Sequence, residues 1–146
     1  MSTPAGLYDQ DFYAWTLKNA ELIRQGRLAD LDLEHVAEEL ESMGRSEWYE
    51  LVDRLAVLLA HLLKWQFQPE RRSNSWRLTM MEQRRRVQLR LKKSPSLRHE
   101  FDETFVEAYE SAVLRAAKEM KVMESQLPRS CPFTAEQTLD ENYWPD

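Results

Sequence analysis

The chain has 146 residues and a formal net charge of −5. Its length suits one domain, which we predict over residues 1–146. Three glycines and six prolines are too few for an all-β protein with many tight turns, and the single Cys131 has no partner for an intrachain disulfide. Without a recognisable signal peptide or an apolar run long enough to span a bilayer, the sequence favours a cytoplasmic protein with no membrane contact.

Two helices are predicted at the start of the chain. Tyr8 and Tyr13 flank the first helix start as a hydrophobic staple around Asp9 as N-cap, and Gly26 is the expected stop. Asp32 is the expected N-cap of a short second helix whose outer face is acidic. The inner face of that helix is predicted from helical spacing to consist of Leu33, Val36, Ala37, Leu40 and Met43.

A central helix over residues 46–68 is the dominant prediction. Gly44 is expected to break or bend the chain, Ser46 to cap the new helix and Pro69 to end it. Two apolar stripes at helical spacing cover most of its circumference, namely Leu51, Leu55, Leu58, Leu62 and Trp65, and Val52, Ala56, Leu59, Leu63 and Phe67. A helix that is apolar around most of its circumference belongs in the middle of a bundle.

Three further helices complete the predicted bundle. The fourth starts near Trp76, a long fifth starts at Ser94 and Pro95, and Thr134 with Gln137 forms the capping box of a short final helix. The inner stripe of the fourth helix comprises Trp76, Met80, Gln83, Val87 and Leu91. After the final helix, the large apolar residues expected to pack back on the bundle are Leu139, Tyr143 and Trp144. We therefore predict an all-α fold, a bundle of about five helices.

Charge is distributed unevenly along the chain. Residues 1–69 sum to −6, residues 70–93 to +7, and residues 100–146 to −7. A basic segment between two acidic ones either pairs within the fold or meets an acidic partner.

Several short blocks of sequence occur together along the chain. They are Tyr8-Asp9, Asp11-Phe12-Tyr13, Trp15, Glu38-Glu39-Leu40, Met43-Gly44-Arg45-Ser46-Glu47, His61-Leu62-Leu63-Lys64-Trp65, Gln68-Pro69, Arg72-Ser73, Ser75-Trp76, Gln83-Arg84, Ser94-Pro95-Ser96-Leu97 and Cys131-Pro132. In these blocks the chain resembles domain-of-unknown-function family twenty-nine, a bacterial family, over nearly its whole length. Trp48-Tyr49 stands where that family has a basic pair, so this surface is expected to differ. The resemblance implies an all-helical fold and no particular activity.

Two sets of polar residues are candidate sites. A helix start with nearby arginines and hydroxyls can bind a phosphate or carboxylate, including one from the protein itself. This candidate anion-binding set comprises Arg71, Arg72, Ser73, Ser75 and Arg84. On the central helix, His61, Lys64 and Trp65 form a candidate polar cluster with His61 as base or ligand. The favoured interpretation is a core histidine whose ring nitrogens bond neighbouring helices.

The sequence also contains candidates for a metal site and for a nucleic-acid patch. His35 and Glu39, four residues apart, are the metal candidates, but di-iron bundles place glutamate first and need further copies. We therefore predict no metal and no other cofactor. The candidate nucleic-acid patch comprises Arg84, Arg85, Arg86, Arg90, Lys92 and Lys93. Because no recognition motif accompanies it, a solvated face paired with the acidic second or fifth helix is favoured.

The resulting prediction is a non-enzymatic helical interaction module. It binds a protein partner that the sequence does not identify, or a second copy of itself as a homodimer. This prediction follows from the absence of a nucleophile set, a phosphate loop and a metal motif. The alternative is nucleic-acid or phosphate binding through residues 71–93, and a metal-dependent hydrolase ranks third.

Overall fold

The computed structural model describes residues 3–146, and its secondary structure is helical, without a β-strand in that range. Six α-helices follow one another along the described residues: α1 (Pro4–Gln10), α2 (Phe12–Arg24), α3 (Leu33–Phe67), α4 (Asn74–Lys93), α5 (Phe101–Met120) and α6 (Ala135–Leu139). Short 3-10 helices lie at Leu28–Asp30, Pro69–Arg71, Pro95–Arg98 and Glu124–Gln126. The predicted all-α class is confirmed.

Packing divides the chain into two compact units. The first ends at Glu47, and the second runs from Trp48 to Asp146. The described part of the first unit contains α1, α2 and the start of α3, and its fully buried apolar side chains are Trp15 and Leu22. The prediction of a single domain stays a prediction.

The core of the second unit is built along the apolar half of α3. Side chains of the predicted central stripe that are completely buried include Leu51, Leu55, Leu58 and Leu62. They share one core with Met80, Val87 and Leu91 of α4 and with Ala108, Ala112 and Ala116 of α5. Small alanines on α5 leave room for the large leucines of α3, as close packing requires. The expected bundle around this helix is confirmed, and so is the packing of Leu139, Tyr143 and Trp144 against it.

The predicted start of the central helix at residue 46 is wrong. α3 is continuous for 35 residues, from Leu33 to Phe67, and passes through Gly44 without interruption. A glycine in a helix interior costs only about 1 kcal/mol, and good helix formers on both sides outweigh that cost. Ser46 donates its hydroxyl hydrogen to the Ser42 carbonyl at 3.0 Å, so it is an interior residue instead of a cap.

The predicted inner face of the second helix is also wrong. Leu33, Leu40 and Met43 are each more than 60% exposed, at 63%, 62% and 63%. The side of α3 that meets the rest of the first unit instead carries His35 and Glu39, which contact Tyr8 of α1. The side of α3 that makes polar contacts faces the rest of the first unit, and the apolar stripe of the helix is left exposed to solvent.

Two predicted caps move by a few residues. Asp11, not Asp9, is the N-cap of α2 and accepts from the Ala14 backbone N–H at 3.0 Å. Ser94 and Pro95 open a 3-10 helix that ends at Arg98, and α5 begins later, at Phe101. Two other predicted signals are confirmed: Gly26 follows α2 with a φ of +70°, and the capping box of α6 is formed by Thr134 and Gln137.

Candidate functional site

An exposed apolar stripe runs along the first turns of α3. We call Leu33, Ala37, Leu40 and Met43 the α3 stripe; all four are exposed and recur at helical spacing. Exposed glutamates flank it at Glu34 and Glu41. Large apolar side chains elsewhere in the first unit that are also exposed are Phe12, Tyr13, Leu17, Ile23 and Leu28. With Leu33, Leu40 and Met43 these make eight of the sixteen exposed large apolar residues in the described chain. The first unit is therefore poor in core and rich in uncovered apolar surface.

A polar network joins the three helices of the first unit. The ring of Tyr8 stacks on His35 with centroids 3.9 Å apart, and its hydroxyl donates to Glu39 Oε1. Nδ1 of His35 lies 2.7 Å from Asp32 Oδ2, the same oxygen that accepts from Trp15 Nε1 at 2.9 Å. The two predicted metal candidates are thus brought into one network, but each already has a protein partner. Among the described residues, no group of three or more potential ligand side chains is placed to hold a metal ion.

The network shifts the pKa values of its members. The hydrogen bond to Asp32 raises the pKa of His35 above its usual range. Burial acts to raise the pKa of Asp32, but the hydrogen bonds from Trp15 and His35 prevail and lower it. The hydrogen bond to Glu39 raises the pKa of Tyr8 to about 12. The arrangement favours the charged forms of Asp32 and His35 and the neutral form of Tyr8.

The His61 cluster lies in the second unit and is held by its own neighbours. His61 is half-buried, and its Nδ1 donates to the Val57 carbonyl of the same helix at 2.8 Å, so the expected bond from this nitrogen to a neighbouring helix is wrong. Burial lowers the pKa of His61. Lys64 forms an ion pair with Glu119 of α5, and its Nζ lies 4.8 Å from the ring centroid of Trp76. These contacts account for the cluster as a link between α3, α4 and α5.

We expect His35 and His61 to titrate on opposite sides of the ordinary histidine value of about 6.5. Nuclear magnetic resonance titration should give a midpoint above that value for His35 and below it for His61, with Asp32→Asn lowering only the first. Because the folded-state pKa of His35 is raised, its stabilising contribution is complete below about pH 6.5 and is lost as the pH rises through the folded value. A His35 midpoint at or below that of His61 would contradict the described network.

Two arginines near α4 hold the backbone of residues 137–145. Arg84 is completely buried; its Nε donates to the Thr138 carbonyl and its Nη2 to the Tyr143 carbonyl, each at 2.8 Å. Arg72 donates from Nε to the Trp65 carbonyl at 2.7 Å and from Nη2 to the Pro145 carbonyl at 3.2 Å. We call this arrangement the backbone clamp.

The clamp uses a buried guanidinium without a paired carboxylate among the described residues. Burial lowers the pKa of Arg84, while the charges of Asp140 and Glu141 act in the opposite direction. The guanidinium carbon lies 5.4 Å from the ring centroid of Trp144, a distance at which a cation and an aromatic face attract. Nη1 of Arg84 is buried without a hydrogen-bond partner in the described chain.

The residues of the predicted anion-binding set do not form one site, because several of them make separate structural contacts. Arg72 and Arg84 are engaged by carbonyl oxygens of the clamp, and Ser73 is the N-cap of α4, accepting from the Trp76 backbone N–H at 3.2 Å. Arg71 and Ser75 are exposed. Whether these two bind an anion stays a prediction.

The basic segment of α4 faces several directions. Arg84 points into the core, Arg86 pairs with Glu82 of its own helix at 2.8 Å, and Arg90 reaches Glu50 of α3 at 3.6 Å. Arg85, Lys92 and Lys93 are exposed. The sequence interpretation missed that α3 contributes Glu50 and Arg54 beside this segment. The sequence signal for their shared side of α3 was the spacing of four residues between two oppositely charged side chains.

These features define an all-helical protein with one well-packed unit and one unit that exposes an apolar stripe. In residues 3–146 no helix has the length and apolar character needed to cross a membrane. The chain belongs to the family described as "Domain of unknown function DUF29", whose model matches residues 7–144. No curated protein and no solved structure matches the chain.

Proposed function

We propose that the protein is a helical interaction module that self-associates, with the α3 stripe of one copy bound to α4 of a second copy. The observation that carries the proposal is the exposure of Leu33, Leu40 and Met43, each above 60%, on a helix face patterned for burial. Burying three such side chains from that exposure contributes roughly 3–5 kcal/mol, enough to matter in an association.

Charge supports α4 as the complementary surface. Residues 1–47 carry a net charge of −6, so a symmetric contact between two α3 stripes would bring like charges together. Residues 70–93 carry +7, and the outward side of α4 presents Leu78 and Met81, exposed at 49% and 45%, beside the exposed Arg85. An apolar stripe flanked by acidic residues therefore complements an apolar stripe flanked by basic residues in both hydrophobicity and charge.

A cytoplasmic location in a bacterial cell fits the same proposal. Cys131 is a free cysteine, and an unpaired thiol suits a reducing compartment. The resemblance of the sequence to a bacterial family supports a bacterial source for the protein.

Self-association is tested by light scattering after size exclusion, at protein concentrations from about 1 μM to about 1 mM. We expect a dimer that weakens as salt rises from about 50 to about 500 mM, because the charge attraction is screened. The triple variant Leu33→Ser, Leu40→Ser, Met43→Ser should be monomeric, and so should Leu78→Ser with Met81→Ser.

The matched control lies on α5, where Val106 and Leu114 are exposed at 60% and 64%. Val106→Ser with Leu114→Ser removes similar apolar area and should leave the dimer intact. A wild-type monomer across the whole concentration range overturns the proposal. So does a dimer that depends on the α3 stripe and not on α4, because that result points to a symmetric contact.

A further inference from the structure

A basic cavity of about 230 Å³ lies in the second unit, between α3 and α4. Its lining comprises Glu50 and Arg54 from α3 and Arg86, Leu89, Arg90 and Lys93 from α4. Four cations thus surround one carboxylate, which gives the lining a net charge of +3. Such an excess of one sign inside a concave surface attracts ions of the opposite sign.

Helical spacing explains why these charges converge. Arg86, Arg90 and Lys93 are separated by four and three residues, so α4 presents them on one side. Glu50 and Arg54 are four residues apart and share a side of α3. No single segment of sequence contains the set, which arises only where the two helices meet.

The three arginines of the lining are held in place by carboxylates. Oε1 of Glu50 accepts from Arg54 Nε at 2.9 Å and lies 3.6 Å from Arg90 Nη2, so one carboxylate orients guanidinium groups from two helices. Glu82, which does not line the cavity, holds Arg86 at 2.8 Å. The side chains of Arg54 and Arg90 are only 28% and 26% exposed, so water screens their charges less than it screens those of a fully solvated arginine.

We propose that this cavity binds the phosphoryl groups of a small-molecule phosphate ester or diphosphate. Planar guanidinium groups donate in pairs to phosphate oxygens, and a lysine adds a compact point charge. Counted together with Glu82, the lining still carries two more positive than negative charges, an excess that a diphosphate can balance. The volume lies below the range of about 300–1,000 Å³ typical of drug-sized ligands, so the charged part of the ligand is compact.

The geometry favours a small molecule over nucleic acid. A nucleic-acid surface needs a row of cations along successive phosphates. Here the neighbouring Arg84 is buried on the backbone clamp, and the charges converge on one cavity. The site also differs from the α3 stripe and from Leu78 and Met81, so this inference does not depend on self-association.

Calorimetric titration with pyrophosphate and with inorganic phosphate tests the inference. We expect saturable binding of one pyrophosphate per chain, at least tenfold tighter than inorganic phosphate, and weaker at higher salt. Arg86→Gln with Lys93→Gln should reduce pyrophosphate affinity at least tenfold. Both residues are exposed, so the thermal midpoint of the unliganded variant should stay close to that of the wild type.

The matched control is Arg77→Gln with Lys92→Gln, which removes the same charge from α4 outside the cavity lining. This variant should bind pyrophosphate like the wild type. Equal losses in both variants would overturn the inference, since they would show attraction by net charge alone. It would also be overturned by no saturable binding up to millimolar ligand, or by tight duplex binding that pyrophosphate does not compete with.

Discussion

Leu58→Ala is expected to lower the free energy of unfolding by about 2–5 kcal/mol. Leu58 lies in the middle of the apolar part of α3 and has no exposed surface. It belongs to the core that joins α3, α4 and α5, with Leu55 and Leu62 among the same buried residues. Truncation removes apolar atoms from this core and leaves a cavity that the surrounding close-packed side chains fill only in part.

Urea denaturation measures this effect as a lower midpoint with an unchanged slope. Leu114→Ala on α5 is the matched control. It removes the same side-chain atoms as Leu58→Ala, but from a residue that is 64% exposed. That control should change stability by no more than about 0.5 kcal/mol. Equal midpoints for Leu58→Ala and wild type would show that α3 does not occupy the centre of the core.

Arg84→Leu is expected to release residues 137–145 from the bundle. The Thr138 and Tyr143 carbonyls would both lose their guanidinium donor, and each buried carbonyl without a donor costs about 1–3 kcal/mol. Water can satisfy these oxygens only when the segment moves away from the bundle. Tyr143 and Trp144, which pack against the core, would then become accessible.

Limited proteolysis and urea denaturation test this expectation together. Arg84→Leu should be cut in residues 137–145 at protease concentrations that leave the wild type intact, and its urea midpoint should fall. Arg84→Lys keeps the charge, but a lysine lacks the planar group that donates to both carbonyls. This variant should therefore restore little of the protease resistance or stability. Arg85→Leu, one position along and exposed, is the control and should behave like the wild type. Equal protease resistance of the variants at 84 and 85 would contradict the clamp.

Periodicity in the sequence predicted the second unit well. The spacing of Leu51, Leu55, Leu58 and Leu62 predicted a buried stripe, and all four are completely buried. The capping box at Thr134 was equally clear, because it depends on local hydrogen bonds within one turn. Where local preference and global packing agree, single-sequence reasoning is sufficient.

The first unit shows what periodicity cannot decide. Spacing shows that Leu33, Leu40 and Met43 share one side of a helix, but it contains no information about whether anything covers that side. Tertiary contacts of His35 and Glu39 determined which side faces the protein. The predicted break at Gly44 failed for a related reason, since the cost of about 1 kcal/mol for a helical glycine is small beside the packing of a 35-residue helix.

The candidate site was harder to predict than the fold. Arg84 looked like one of three consecutive surface arginines, although it falls at helical spacing with Met80, Val87 and Leu91, which are all buried. That spacing was the available signal for its burial. The cavity around Glu50 and Arg54 could not be found in the same way, because it depends on how two helices are placed side by side.

The backbone clamp constrains the length of residues 138–143 more than their composition. Arg84 contacts main-chain oxygens, which every amino acid has, so changes of side chain at the exposed Asp140, Glu141 and Asn142 leave its acceptors in place. Deleting or inserting one residue there would displace one of the two carbonyls by roughly 3 Å, the span of a single residue. Related chains that keep this arginine should therefore vary freely at residues 140–142 while conserving the number of residues between the two carbonyls.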